Sequence, residues 1–125
     1  MKRILPGPAN LPFSKAIIHD SKYSLEISGQ VGLGSDGKLE DGVEAQTRRI
    51  LENIKAILAE SGWSLENVVK VRIYLVDIGD YGKVNDVYAK FFTSNYPTRV
   101  ALAVKDLPLG ALVEIECTAI GEKLK

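Results

Sequence analysis

The stretch Tyr96-Pro97-Thr98-Arg99-Val100-Ala101-Leu102-Ala103-Val104, then Leu107-Pro108-Leu109-Gly110, then Ala111-Leu112-Val113-Glu114-Ile115-Glu116-Cys117-Thr118-Ala119-Ile120, decides the fold. Two apolar runs of strand length are joined by a short link containing Pro and Gly, which predicts an antiparallel hairpin. Arg99 opens the first run. Glu114 and Glu116 interrupt the second at a spacing of two, so both carboxylates fall on one strand face. Ionic groups among Val, Ile, Leu and Ala need a partner or a task, because an unpaired charge is costly to remove from water. Two readings are open on this stretch alone: Arg99, Glu114 and Glu116 form a structural ion-pair set on a half-exposed sheet face, or they belong to a ligand site.

Upstream, Asp80 can cap a helix that buries Tyr81, Val84, Val87, Tyr88, Phe91 and Phe92. Ser94-Asn95-Tyr96-Pro97 ends it, since a residue before proline avoids the helical region. Val68 to Val76 alternates as a strand, with Val69, Val71, Ile73 and Leu75 on one face and Lys70, Arg72, Tyr74 and Val76 on the other. Gly42 to Ser61 is helical, with Ile50, Leu51, Ile54, Ile57 and Leu58 on one stripe. Asp41 and Glu44 make a variant capping box at its start, and Gly62 is its stop. Trp63 follows that stop as a cap on the core. Ala16-Ile17-Ile18-His19 and Tyr23-Ser24-Leu25-Glu26-Ile27-Ser28 flank Asp20-Ser21-Lys22 and predict a second hairpin, with His19 solvated at its turn. Residues 1–14, rich in Pro and Gly, read as an extended arm after a short strand near Arg3–Leu5.

Gly32-Leu33-Gly34-Ser35-Asp36-Gly37 has the spacing of a dinucleotide-binding turn. Such a turn requires the helix to begin inside the motif, so that its amides meet the pyrophosphate. Here the helix signal starts at Asp41, and Ser35-Asp36-Gly37-Lys38 reads as a surface turn.

The element order is therefore β, ββ, α, β, α, ββ. Each helix bridges two strands by a right-handed crossover, so the bridged strands run parallel, and hairpins close both ends. This is an α+β fold, a mixed sheet with two helices packed on one face, in a single domain over residues 1–125. The opposite face keeps Tyr74 and Val76, with either the Leu112 or the Val113 series beside them. A partly apolar uncovered face predicts self-association.

Composition narrows the function. Hydrophobic residues make up 46% and charged residues 26%, an ordinary globular balance. Lys+Arg and Asp+Glu both number 16, and this zero formal charge argues against nucleic acid as a main partner. A single Cys excludes an intrachain disulfide and suits a reducing compartment. The start of the chain has no apolar signal region and no run is long enough to span a bilayer, so a cytoplasmic protein with no membrane partner is expected. One His and one Cys cannot make a tetrahedral N/S metal site, so no metal is expected. Cys117, inside an apolar run, reads as a core filler. What remains is Arg99 with Glu114 or Glu116. An Arg at a strand edge can hold a carboxylate by two parallel hydrogen bonds, and a nearby Glu can hold a water or move a proton.

Ile27-Ser28-Gly29-Gln30, Gln46-Thr47-Arg48-Arg49-Ile50-Leu51-Glu52-Asn53-Ile54, Asn85-Asp86-Val87-Tyr88, Pro97-Thr98-Arg99-Val100 and Val113-Glu114-Ile115-Glu116 together resemble the RidA/YjgF family, known also by its endoribonuclease L-PSP label. The resemblance covers nearly the whole chain. It implies a chorismate-mutase-like α+β fold, a homotrimer with clefts between subunits, and cofactor-free hydrolysis of enamines and imines such as 2-aminoacrylate and 2-iminopropanoate to 2-oxo acids and ammonia. By position it implies Arg99 as the group that binds the substrate carboxylate and Glu114 as the group that positions water, with Phe13, Ser28, Gly29 and Ala101 lining the pocket. Two departures stand out. The family's Gly-Pro-Tyr-Ser is Leu11-Pro12-Phe13-Ser14 here, and Ala101 stands where many members have Cys. The alternatives are a 2-oxo-acid-binding regulatory trimer without turnover, and a ribonuclease or translation inhibitor.

Overall fold

The computed structural model describes residues 1–125. In chain order the elements are β1 (Lys2–Leu5), β2 (Ala16–His19), β3 (Tyr23–Val31), α1 (Val43–Glu60), β4 (Val68–Leu75), α2 (Tyr81–Phe91), β5 (Thr98–Ala103) and β6 (Val113–Gly121). The four long strands form a mixed sheet in the order β3-β6-β4-β5, and β1 and β2 form a separate antiparallel pair. Both helices lie on one face of the mixed sheet, over a core in which Ile50, Leu51, Ile54 and Leu58 of α1 and Val84 and Tyr88 of α2 meet Val71, Ile73, Ile115 and Cys117. This is the α+β arrangement expected from the alternation of patterns.

Both expected hairpins are absent. β5 and β6 run antiparallel but do not touch, because β4 lies between them, paired parallel to β5 and antiparallel to β6. β2 pairs with β1, with His19 opposite Lys2, while β3 pairs with β6. The reason is the α2 crossover. A parallel neighbour needs a helical connection, and α2 delivers β5 directly against β4. The chain from Val104 to Leu112 then crosses over β4 and lays β6 along its other edge. The strands bridged by α1, β3 and β4, run in the same direction, as expected, but β6 separates them.

The predicted caps also differ. Gly42, not Asp41, occupies the cap position of α1, at φ 90° and with no side-chain bond. That positive-φ backbone suits a residue without Cβ, and the Asp41 carboxylate makes no cap bond. Asp80 sits at the cap of α2 without bonding it, and the Asp77 carboxylate instead accepts from Gly79 N–H at 2.8 Å in the preceding turn. Trp63 does close the core, donating its indole N–H to Lys123 O at 2.7 Å. The Gly32–Gly37 motif is a tight turn in which Gly34 N–H donates to Lys38 O at 2.9 Å, with α1 beginning well beyond it.

On β6, Val113, Ile115, Cys117 and Ala119 are buried toward the helices, while Glu114, Glu116 and Thr118 are only half-buried on the other side. The open face therefore carries the Leu112 series. Cys117 is a core filler, its thiol pushed up to about 12 mainly by burial, with the Glu116 and Glu26 carboxylates adding to it. No helix is long and apolar enough to cross a membrane.

Candidate active site

Arg99 is the second residue of the edge strand β5, in register with Val71 and, through it, with Cys117. Register neighbours share a face, so Arg99 points to the helix side. There its Nη1 donates to Asn85 Oδ1 at 2.7 Å and its Nη2 donates to Tyr81 Oη at 2.6 Å. The guanidinium carbon lies 4.9 Å from the Tyr88 ring centre, 5.3 Å from Phe13 and 5.5 Å from Tyr81. Three π faces and two neutral acceptors thus hold the cation. No carboxylate pairs with it. The Tyr88 hydroxyl is buried without a hydrogen-bond partner, and burial drives its pKa upward, so the ring stays neutral beside the cation.

Phe13 reaches this place because its segment is strapped to the start of β5. Ser14 N–H donates to Pro97 O at 3.0 Å, and the Ser14 hydroxyl donates to Tyr96 O. The result is a cleft of ≈ 530 Å³ lined by Phe13, Lys15, Thr98, Arg99 and the Pro6-Gly7-Pro8 segment. Ala101 lies two residues past Arg99 on the same face and packs on the core, outside that lining.

Glu114 belongs to a second locus. On β3, Ile27 faces Cys117 and Gln30 faces Ile115, so the Ser28-Gly29 span holds one residue more than β6 does opposite it, a β-bulge. The bulge brings the backbone of Gly29 against Glu114, where a Cβ would clash with the carboxylate oxygen Oε2. Only glycine leaves that carboxylate in place. Ser28 lies on the open face in a groove with Arg72 and Glu116. Glu114 has no hydrogen bond and no ion pair. Glu116 has both, accepting from Tyr74 Oη at 2.7 Å and facing Arg72 Nη1 at 3.5 Å. That bond is the main cause that raises the Tyr74 hydroxyl pKa.

The expected residues thus form two groups: Arg99 and Phe13 on the helix side, with Ala101 beside them, and Ser28, Gly29 and Glu114 on the open side. Cys117, the register mate of Arg99, is three residues from Glu114, so the two charges sit on opposite faces, with Cα atoms ~14 Å apart by sheet spacing. The structural ion-pair set of Arg99 with Glu114 and Glu116 does not exist; Arg72, not Arg99, pairs with Glu116. Sequence reading also missed Tyr81 and Asn85 as holders of Arg99. Tyr81, Asn85 and Tyr88 follow the i, i+4, i+7 stripe of a helix, a legible signal absorbed into the core assignment.

The fold and these two loci define a small α+β domain with a caged, unpaired arginine on one sheet face and an unpaired glutamate on the other. A family model described as Endoribonuclease L-PSP matches residues 6–121, and the chain belongs to this family, the RidA/YjgF family. It is 44% identical over 113 residues to a RutC family protein of Pyrococcus horikoshii, covering 89% of this chain and 88% of that protein. It is 40% identical over 111 residues to the human 2-iminobutanoate/2-iminopropanoate deaminase, covering 87% and 80%. Its fold matches the crystal structure of RidA from an Antarctic Psychrobacter with TM-score 0.76 and 35% identity, covering 93% of each chain.

Proposed function

We propose that the chain hydrolyses 2-imino acids, and their enamine tautomers, to 2-oxo acids and ammonia without a cofactor. The observation that carries this reading is the unpaired guanidinium of Arg99 in its aromatic cage at the mouth of a cleft. Asn85 and Tyr81 fix its plane and leave its other N–H groups for a carboxylate. Kinship with the named deaminases supplies the substrate class. Held by its carboxylate, an iminium presents an already electrophilic C2, and orientation provides much of the rate. Glu114 takes a proton from water as the water oxygen bonds to C2 and the C=N pair moves to nitrogen. Glu114 returns that proton to the amine nitrogen, then accepts the hydroxyl proton as the C–O bond becomes C=O and the C–N bond breaks, releasing ammonia. Glu114 is the carboxylate assigned to this role because Glu116 is already engaged by Tyr74 and Arg72. Ammonia release from imines generated in place by an amino-acid oxidase tests the proposal. Binding of 2-oxo acids without ammonia release would make the chain a ligand-binding protein instead.

A working site in this scheme needs Arg99 from one chain and Glu114 from another, since one chain holds them on opposite faces. Val100 and Leu102 are 45% and 39% exposed on the open side of the same edge strand, apolar surface suited to a neighbouring copy. A head-to-tail contact of this kind gives a ring where its rotation closes, and the family resemblance implies three chains. Sedimentation equilibrium at micromolar protein is expected to give the mass of three chains; a monomer would remove the shared site.

Phe13 sets a selectivity expectation. It keeps ring area beside Arg99 but lacks the hydroxyl of a tyrosine, so this part of the wall offers no donor to a polar substrate group. Apolar walls favour larger apolar groups. Leucine-derived imine is therefore expected to be preferred over alanine-derived imine, and Phe13→Tyr to shift the kcat/KM ratio toward the latter. A ratio unchanged within about twofold would show that this position does not set selectivity.

A further inference from the structure

We infer a second small-molecule site, for a phosphate-bearing anion, in the gap between the β1–β2 pair and the open face of the mixed sheet. β2 pairs only with β1, and beneath it lies a cavity of ≈ 510 Å³. Its floor is the row Glu26–Thr118–Lys70–Thr98, in register across all four strands, with Arg72 one step along β4 on the same face. Lys15, just before β2, and His19, its last residue, line it from above.

The charge in this space is one-sided in a chain whose formal charge is zero. Lys15, Lys70 and Arg72 line it against a single carboxylate, Glu26, which accepts the Thr118 hydroxyl. Arg72 is partly engaged by Glu116 at 3.5 Å, while neither Lys15 nor Lys70 has a carboxylate partner. The cations approach from two different layers. A planar carboxylate has two oxygens for one fork-like donor, whereas a tetrahedral phosphate accepts from several directions and suits compact ammonium groups. With zero net charge and no Phe, Tyr or Trp in the lining, the cavity lacks the row of large aromatic rings and the basic surplus that hold a nucleic-acid strand, so the ligand is a small phosphate or phosphate ester. Lys15 and Thr98 also border the Arg99 cleft, but this site uses neither Arg99 nor Glu114 and does not depend on the proposed hydrolysis.

Calorimetric titration of the full chain with orthophosphate, pyrophosphate and a sugar phosphate, at low and moderate salt, tests it. Saturable binding of at least one is expected, weakening as salt rises. The relative affinities tell free phosphate from an ester. The pair Lys15→Gln and Lys70→Gln is expected to weaken binding at least about tenfold while leaving the thermal transition in place, because both side chains are exposed. Arg99→Gln is expected to leave it unchanged. The inference is overturned by absence of saturable binding, by equal binding to the double variant, or by loss of binding in Arg99→Gln, which would place the anion in the other cleft. Binding of a single-stranded RNA but of none of the three probes would overturn it as well.

Discussion

Arg99→Lys is expected to lower kcat/KM for imine hydrolysis about thirtyfold or more, since losing one partner of a desolvated charge pair costs roughly 2–5 kcal/mol and about 1.4 kcal/mol is tenfold. Lysine keeps the charge and loses everything that aims it. The bonds to Asn85 Oδ1 and Tyr81 Oη come from two different nitrogens of one rigid plane, and an ammonium cannot reproduce that fork. The three rings would still attract a cation, so an ammonium remains in the cleft but grips a carboxylate at one point only. The loss should fall on KM as well as kcat, because the carboxylate is held in the ground state too. Circular dichroism and thermal unfolding should stay close to wild type, since the core packs without the guanidinium. A variant with wild-type kcat/KM would assign Arg99 a structural role.

The same residues show where sequence reading stops. Strands and helices were legible because alternation in Val69–Leu75 and the stripe from Ile50 to Leu58 are local properties of the chain. Strand order was not, because it depends on which edge of β4 each later strand finds. The Pro108-Leu109-Gly110 link looks like a hairpin connection, yet it belongs to a chain that passes over an intervening strand. That single difference decides the site. In the expected hairpin Arg99 and the two glutamates are neighbours; with β4 inserted, register places Arg99 on the helix side and Glu114 on the open side. The cage around Arg99 was half legible. Tyr81 and Tyr88 signalled a buried helix face, but Asn85 between them is polar on an apolar stripe and points to a partner. The bulge at Ser28-Gly29 leaves no local mark beyond one glycine in a strand, because an extra residue exists only relative to the strand opposite.

An equal mixture of Arg99→Lys and Glu114→Gln chains, unfolded and refolded together, is expected to recover activity that neither has alone. Glu114→Gln removes the base and keeps the shape, so kcat should fall about 10²-fold or more, with a smaller rise in KM. Glu116→Gln should cost far less, because that carboxylate already serves Tyr74 and Arg72; an equal loss would move the water-positioning role to Glu116. With Arg99 and Glu114 drawn from different chains, an intact site forms wherever a Glu114→Gln chain offers its arginine to an Arg99→Lys chain offering its glutamate. Random assortment makes that about a quarter of all sites, whatever the size of the ring. A site within one chain predicts no recovery, since every chain then carries one lesion in its own site. The opposite faces of the two side chains in register make the first outcome the expected one. Mixing the folded variants without unfolding should recover nothing until subunits exchange, which separates shared sites from a trivial additive effect.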